Sequence, residues 1–192
     1  PLLVNKLTQN KNLKGLSVID GDVLKLNLEN LNLKCPIKII GNIPYNITSS
    51  IIFWLIEQLD YWEDAFLMVQ KEVAERMVAK PSTKDYGSLS VLFQLFTETK
   101  IQFEVSKNCF SPQPKVTSSV VTVQRESLLD QEIRLLAFEI SKIAFQQKRK
   151  KIRTSLNSFI NEDNLLKINI DPNLRAADLS PDMYYEIAKE LQ

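Results

Sequence analysis

The sequence contains no histidine, which excludes a good deal of chemistry. Without imidazole there is no Ser-His-Asp or Cys-His triad, no His-ligated zinc and no histidine base, leaving reactions that need positioning more than proton shuttling. Cysteine is scarce. Cys35 and Cys109 make no disulfide framework, and free thiols in a reducing compartment are the simpler account. The four glycines, Gly15, Gly21, Gly41 and Gly87, are scattered, so no glycine-rich phosphate loop can be read. Apolar runs are far too short to span a bilayer, and no stretch reads as a signal peptide, a repeat or a low-complexity tract. An excess of one charge is missing too. With a net charge of +1, any affinity for nucleic acid must come from local clustering.

What remains is an ordinary globular composition, 44% hydrophobic and 24% charged over 192 residues, enough for one large or two small domains. Strand and helix patterns alternate through the first two thirds. Leu16 to Ile19 reads as a short strand ending in Asp20-Gly21-Asp22, Asn27 to Cys35 as a loop or weak helix, and Ile37 to Gly41 as a buried strand. Thr48, Ser49 or Ser50 can cap a helix with Ile51, Ile52, Leu55, Ile56 and Leu59 on one face. Ala65 to Val69 is a continuous apolar run, expected to be a strand buried on both sides. A helix through Val73 and Met77, a second through Leu89 to Phe96, and strands at Ile101 to Val105 and Val116 to Val123 follow. From Ser127 onward only helical spacing is found, ending in a helix that Ser180-Pro181 starts with a cap and an N1 proline. Leu2 to Lys14, with Leu3, Leu7 and Leu13, reads as the tail of a surface helix. The division is therefore an α/β layer over residues 1–126, with an antiparallel finish, and a small all-helical domain over 127–192.

Three stretches carry chemistry. Asn42-Ile43-Pro44-Tyr45 stands at the carboxyl end of the Ile37 strand, the edge where open α/β sheets bind ligands. Pro44 keeps the backbone extended, so its carbonyl is expected to point outward; with the Asn42 side chain and the Tyr45 ring it would offer a planar amine two acceptors and a stacking face. A plain strand-to-helix turn fits the same residues. Phe110-Ser111-Pro112-Gln113-Pro114 is a loop stiffened by two prolines that would hold Phe110 as a second aromatic face; closing the core is the alternative. Lys148-Arg149-Lys150-Lys151-Ile152-Arg153, with Lys142, is a dense cationic run without a compensating acid, anchored by Phe145 and Ile152, and suits phosphate or a solvated helix face. Asp22 could accept from a ribose or an adenine amine, or simply complete an Asp-Gly turn.

These segments, with Gln70-Lys71-Glu72-Val73, Tyr86-Gly87-Ser88-Leu89-Ser90 and Ile170-Asp171-Pro172…Arg175-Ala176, occur in an order that resembles the small-subunit rRNA adenine N6,N6-dimethyltransferase family of the KsgA type. The resemblance implies a class I (Rossmann-like) S-adenosylmethionine-dependent methyltransferase sheet with a helical rRNA-docking domain. It implies dimethylation of N6 on two adjacent adenines of a small-subunit rRNA hairpin during ribosome biogenesis. Asn42 and the Pro44 carbonyl would accept from the target amine, Tyr45 and Phe110 would stack on the base, and Asp22 and Asn42 would face S-adenosyl-L-methionine. Lys148, Arg149, Lys150, Lys151 and Arg153 would meet RNA. The small ribosomal subunit is the expected partner, with a monomeric, cytoplasmic protein and no metal or membrane. In one respect the sequence departs from the pattern: the strand, G-x-G-x-G loop and acidic-ended second strand that hold the cofactor in relatives are not found, so the sheet is expected to be N-terminally incomplete and this chain alone inactive. A macrolide-resistance-type large-subunit methyltransferase shares the turn and the Phe-x-Pro-x-Pro loop, and a non-catalytic ribosome-assembly RNA-binding fragment is a third reading.

Overall fold

The computed structural model describes residues 2–9, 15–126 and 129–192. Strands β1 (Ile37–Asn42), β2 (Trp62–Gln70), β3 (Thr97–Val105) and β4 (Ser118–Arg125) form one sheet in the order β1-β2-β4-β3. β1 and β2 run parallel, whereas β4 is antiparallel to both β2 and β3. This topology positions everything that follows. Because β4 turns back between β2 and β3, its first residue, Ser118, lies opposite Gln70, the last residue of β2, while Asn42 at the end of β1 lies opposite Met68. The loop leading into β4 and the turn leaving β1 therefore emerge at the same edge.

Helices α2 (Thr48–Glu57), α3 (Lys71–Val78) and α4 (Ser88–Phe96) follow the first strands, and α5 (Gln131–Gln146), α6 (Ile152–Ser155), α7 (Glu162–Lys167) and α8 (Pro181–Glu190) make the helical part; a short α1 (Leu2–Thr8) stands at the front. Ala65, Leu67, Val121 and Val123 of the sheet join Ile52, Leu55, Met77 and Leu92 in a core that continues into Ile140, Leu156 and Tyr184. Helix α4 packs against α5 and α8 as well as against the sheet, so the two parts share it. The Tyr86 hydroxyl donates to the Leu179 carbonyl at 2.8 Å and that of Tyr184 to the Ala176 carbonyl at 2.8 Å. Burial pushes both hydroxyls well above the ordinary tyrosine range and keeps them neutral donors. Tyr86→Phe leaves a buried carbonyl unpaired and is expected to cost about 1–3 kcal/mol, read from urea denaturation.

Several expectations are met: the Ile37 strand, the helix after it, the antiparallel finish and the helices after residue 129, with Ser180 Oγ accepting from Met183 N at 3.2 Å. Others are corrected. Leu16 to Ile19 is not a strand; Leu16 and Ile19 are half exposed, and no neighbouring strand among the described residues could pair their backbone. β1 is an edge strand and is not buried. Ile40 is 85% exposed because only β2 flanks it. β2 is covered on one face only, with Phe66 on the open side. Thr48 does not cap α2, since it is already helical and its hydroxyl donates back to the Tyr45 carbonyl at 3.2 Å. Residues 10–14 of the expected first helix, and residues 127–128 at the expected boundary, lie outside the described residues.

Candidate active site and RNA face

Asn42 ends β1, and the ladder is prolonged one step as Ile43 N donates to Met68 O at 3.1 Å. The turn is tight at Gly41, where a Cβ would come within 2.9 Å of Ile43 Cδ1, so Ile43 can fold beneath it and leave Asn42 and Pro44 on the outside. Pro44, with φ −59° and ψ 126°, then leads into a 3₁₀ turn at Tyr45–Ile47. The expectation that its carbonyl is presented outward and not drawn into helical pairing needs correction: it accepts from Ile47 N at 3.1 Å in the 3₁₀ turn, with the Thr48 hydroxyl 3.4 Å away and nearer to Tyr45 O. A carbonyl has two lone pairs, so one acceptor position remains. The Asn42 side chain is exposed and bonds to nothing among the described residues.

From the other side, the loop between β3 and β4 brings Phe110, Pro112 and Pro114 against this turn. Asn42, Ile43, Pro44, Tyr45, Phe110, Pro112 and Pro114 line one cleft of about 250 Å³. The four residues singled out in the sequence for the target amine and base thus meet, although Tyr45 and Phe110 lie far apart in the chain. Both rings are half-buried where they line the cleft, so each keeps accessible surface, as a stacking platform requires. The Tyr45 hydroxyl lies 2.5 Å from Ser118 Oγ, a partner that sequence reasoning missed; a serine near the start of the strand that follows the proline-stiffened loop was the only signal.

Asp22 is not among the residues lining this cleft. It caps a 3₁₀ turn, Val23–Lys25, with Oδ1 accepting from Leu24 N at 3.0 Å. The second carboxylate oxygen stays free, so exposed Asp22 and exposed Asn42 each keep an acceptor that fits an exocyclic or ribose donor of a nucleoside cofactor. Among the described residues no group of three or more His, Cys, Asp or Glu could hold a metal ion.

The basic run sits at the end of α5. Lys148, Arg149 and Lys150 are exposed in the turn after it, without an ion pair among the described residues. The run is not free of acids as expected: Lys142 pairs with Glu139 at 2.9 Å and Arg153 with Glu162 at 3.4 Å. Lys151 Nζ donates to Asn173 Oδ1 at 2.8 Å. Ile152 is fully buried, and Phe145 meets the rings of Tyr86 and Tyr184, so both anchor the segment. The backbone is fastened as well, with Ile152 N donating to Leu174 O at 2.8 Å and Arg153 N to Pro172 O at 3.2 Å. The turn that receives it is set by Asp171, whose carboxyl is held below the ordinary range by hydrogen bonds from Asn173. Lys148 lines two clefts: one of about 660 Å³ of mixed charge, with Lys84 and Arg76 but also Glu72, Glu75 and Asp85, and one of about 340 Å³ with Arg149 and Lys150.

A mixed sheet with an Asn-Ile-Pro-Tyr turn at its carboxyl edge, a facing aromatic loop and helices behind defines a class I methyltransferase fold. The chain matches the ribosomal RNA adenine dimethylase family over residues 1–192, and it belongs to that family. It is 40% identical over 187 residues to the ribosomal RNA small subunit methyltransferase A of Nitrosospira multiformis, an alignment covering 96% of this chain and 71% of that protein. With the protein of the same name from Tolumonas auensis it shares 37% over 193 residues, covering 98% and 72%. Among solved structures it is similar to a dimethyladenosine transferase from Plasmodium falciparum, with a TM-score of 0.81 and 23% identity over 97% of this chain and 77% of that one. A 23S rRNA methyltransferase, ErmE, superposes with a TM-score of 0.69 at 24% identity over 100% and 78%. At these identities the two structures speak for the fold.

Proposed function

We propose that the protein methylates N6 of two adjacent adenines, twice each, in a hairpin of small-subunit rRNA during ribosome biogenesis, and that residues 1–126 carry the chemistry while 127–192 dock the RNA. The observation that carries this reading is the single cleft joining Asn42, Pro44, Tyr45 and Phe110 at the sheet's carboxyl edge. The methyl donor is S-adenosyl-L-methionine, which supplies an electrophilic methyl on a sulfonium; Asp22 and Asn42 would hold it. An adenine rotated out of its helix would stack between Tyr45 and Phe110. Its N6 lone pair is delocalised into the ring and nucleophilically weak. The Asn42 side-chain oxygen and the remaining lone pair of the Pro44 carbonyl would accept the two N6 hydrogens and draw the nitrogen toward a tetrahedral shape, returning the lone pair for attack on the methyl carbon while the methyl–sulfur bond breaks and the sulfur departs as a neutral thioether. The extra proton leaves to water afterwards, so no strong base is needed, in keeping with a chain lacking histidine. After the first transfer the amine has one hydrogen left, and one acceptor is enough to orient it for the second.

Lys148, Arg149, Lys150, Lys151 and Arg153 would take phosphates, and the partner is the small ribosomal subunit, met by a monomer in the cytoplasm. Relatives named for the small subunit, matching nearly the whole chain, favour this over the large-subunit reading. The test is a partition experiment. The full-length gene product, given labelled S-adenosylmethionine and equal amounts of undermethylated small and large subunits, should label the small subunit; label on the large subunit alone would transfer the assignment to the macrolide-resistance type.

A further inference from the structure

Ser118 touches neither of the clefts' aromatic faces, yet it is fixed from every direction. It opens β4, one of the two inner strands, in register with Gln70 of β2 and Val105 of β3, and it is fully buried. Its Oγ lies 2.5 Å from the Tyr45 hydroxyl, the one side-chain bond that either group makes among the described residues. Tyr45, by contrast, begins a 3₁₀ turn that has no side-chain cap, and its ring is half-open to the cleft. The torsion that sets the plane of a tyrosine ring is broad, so backbone alone does not select one plane. A hydroxyl tied to a residue paired on both sides does.

We propose that Ser118 is a positioning residue for the target base: through Tyr45 it sets the plane on which the adenine stacks and ties that plane to the loop carrying Phe110. The proposal rests on the reading of the cleft as the target-base site. The link is short in the chain. Only seven residues separate Phe110 from Ser118, with Pro112 and Pro114 among them, so the strand that orients one aromatic wall also anchors the far end of the loop that carries the other. Small errors in such supporting contacts are felt in rate, because a reacting pair must be held close to its attack geometry. Each single change leaves one partly buried hydroxyl without its partner and is expected to lower stability, so rates are compared well below the unfolding midpoint of every variant.

The test is a double-mutant cycle in the full-length gene product, using Ser118→Ala, Tyr45→Phe and the pair. Each single change is expected to lower kcat about five- to tenfold with the KM for RNA unchanged, and the double variant to be no slower than either, because both remove one bond. The same variants are bound to an rRNA hairpin with 2-aminopurine at the target position, where the wild type quenches fluorescence by stacking and both single variants quench less. Ser119→Ala is the control: Ser119 is buried on the opposite face of β4 and its Oγ has no partner among the described residues, so rate and quenching should be those of the wild type. Losses that multiply in the double variant, a change confined to KM, or unaltered quenching in Ser118→Ala would overturn the proposal. A wild type that quenches without transferring methyl would sink the functional reading and leave the positioning role standing. Transfer with Ser118→Ala indistinguishable from wild type would do the reverse.

Discussion

Asn42→Ala in the full-length gene product should lower methyl transfer about a hundredfold or more and leave affinity for small subunits within about twofold of the wild type. The reason is geometric. Asn42 is the last residue of β1, its backbone held by the ladder with Met68, and its side chain is exposed and free of other bonds. It is therefore a fixed acceptor aimed at open space, and it supports no neighbour. Removing it takes away the orientation of N6 without loosening the turn, whose stability comes from Ile43 beneath it and the Ile43 N to Met68 O bond. Asn42→Asp keeps the acceptor and adds a charge; it should retain more activity than alanine. Rates and subunit binding measured side by side check this. A parallel loss of both would mean that the turn is structural.

Replacing Lys148, Arg149 and Lys150 together by glutamine is expected to weaken binding to small subunits about a hundredfold near 0.1 M salt, and to reduce the slope of log affinity against log salt by about two units or more. These three are chosen because the neighbouring cations already have partners: Lys151 donates to Asn173, and Arg153 pairs with Glu162. The fold should survive, because the segment is anchored through buried Ile152, the ring contacts of Phe145 and two backbone bonds to the Pro172–Leu174 turn, none of which uses the substituted side chains. Binding measured across a salt series gives both quantities. An unchanged slope would move the RNA footprint elsewhere.

How far the sequence could be read depended on the range of the interaction. Local signals held where local physics decides: Ser180-Pro181 starts α8, and the apolar spacing from Ile51 to Ile56 is α2. Leu16 to Ile19 has an apolar strand composition, but a strand is defined by a neighbour, and composition does not say whether one stands beside it. The same limit hid the exposure of Ile40 and Phe66, which follows from what flanks β1 and covers the open sheet face. Two polar details were illegible, one because it joins distant residues and one because it depends on backbone geometry. Tyr45 and Ser118 are 73 positions apart, and the pairing of the Pro44 carbonyl depends on how tightly the turn winds. The Lys-Arg-Lys-Lys-Ile-Arg and Ile-Asp-Pro…Arg-Ala segments were legible as two motifs. Only the structure makes them one unit, through the Lys151–Arg175 bridge and the bonds to Pro172 and Leu174.

The most direct measurement is nucleoside mass spectrometry on small subunits from an undermethylated strain, after incubation of the full-length gene product with labelled S-adenosylmethionine. The expected result is labelled N6,N6-dimethyladenosine at two adjacent positions of one hairpin, preceded in time by the monomethyl form and lost in Asn42→Ala. Label on another base or on the ribose, or dimethyladenosine formed undiminished by the Asn42→Ala protein, would contradict the assignment of the Asn42–Tyr45 cleft as the site of methyl transfer.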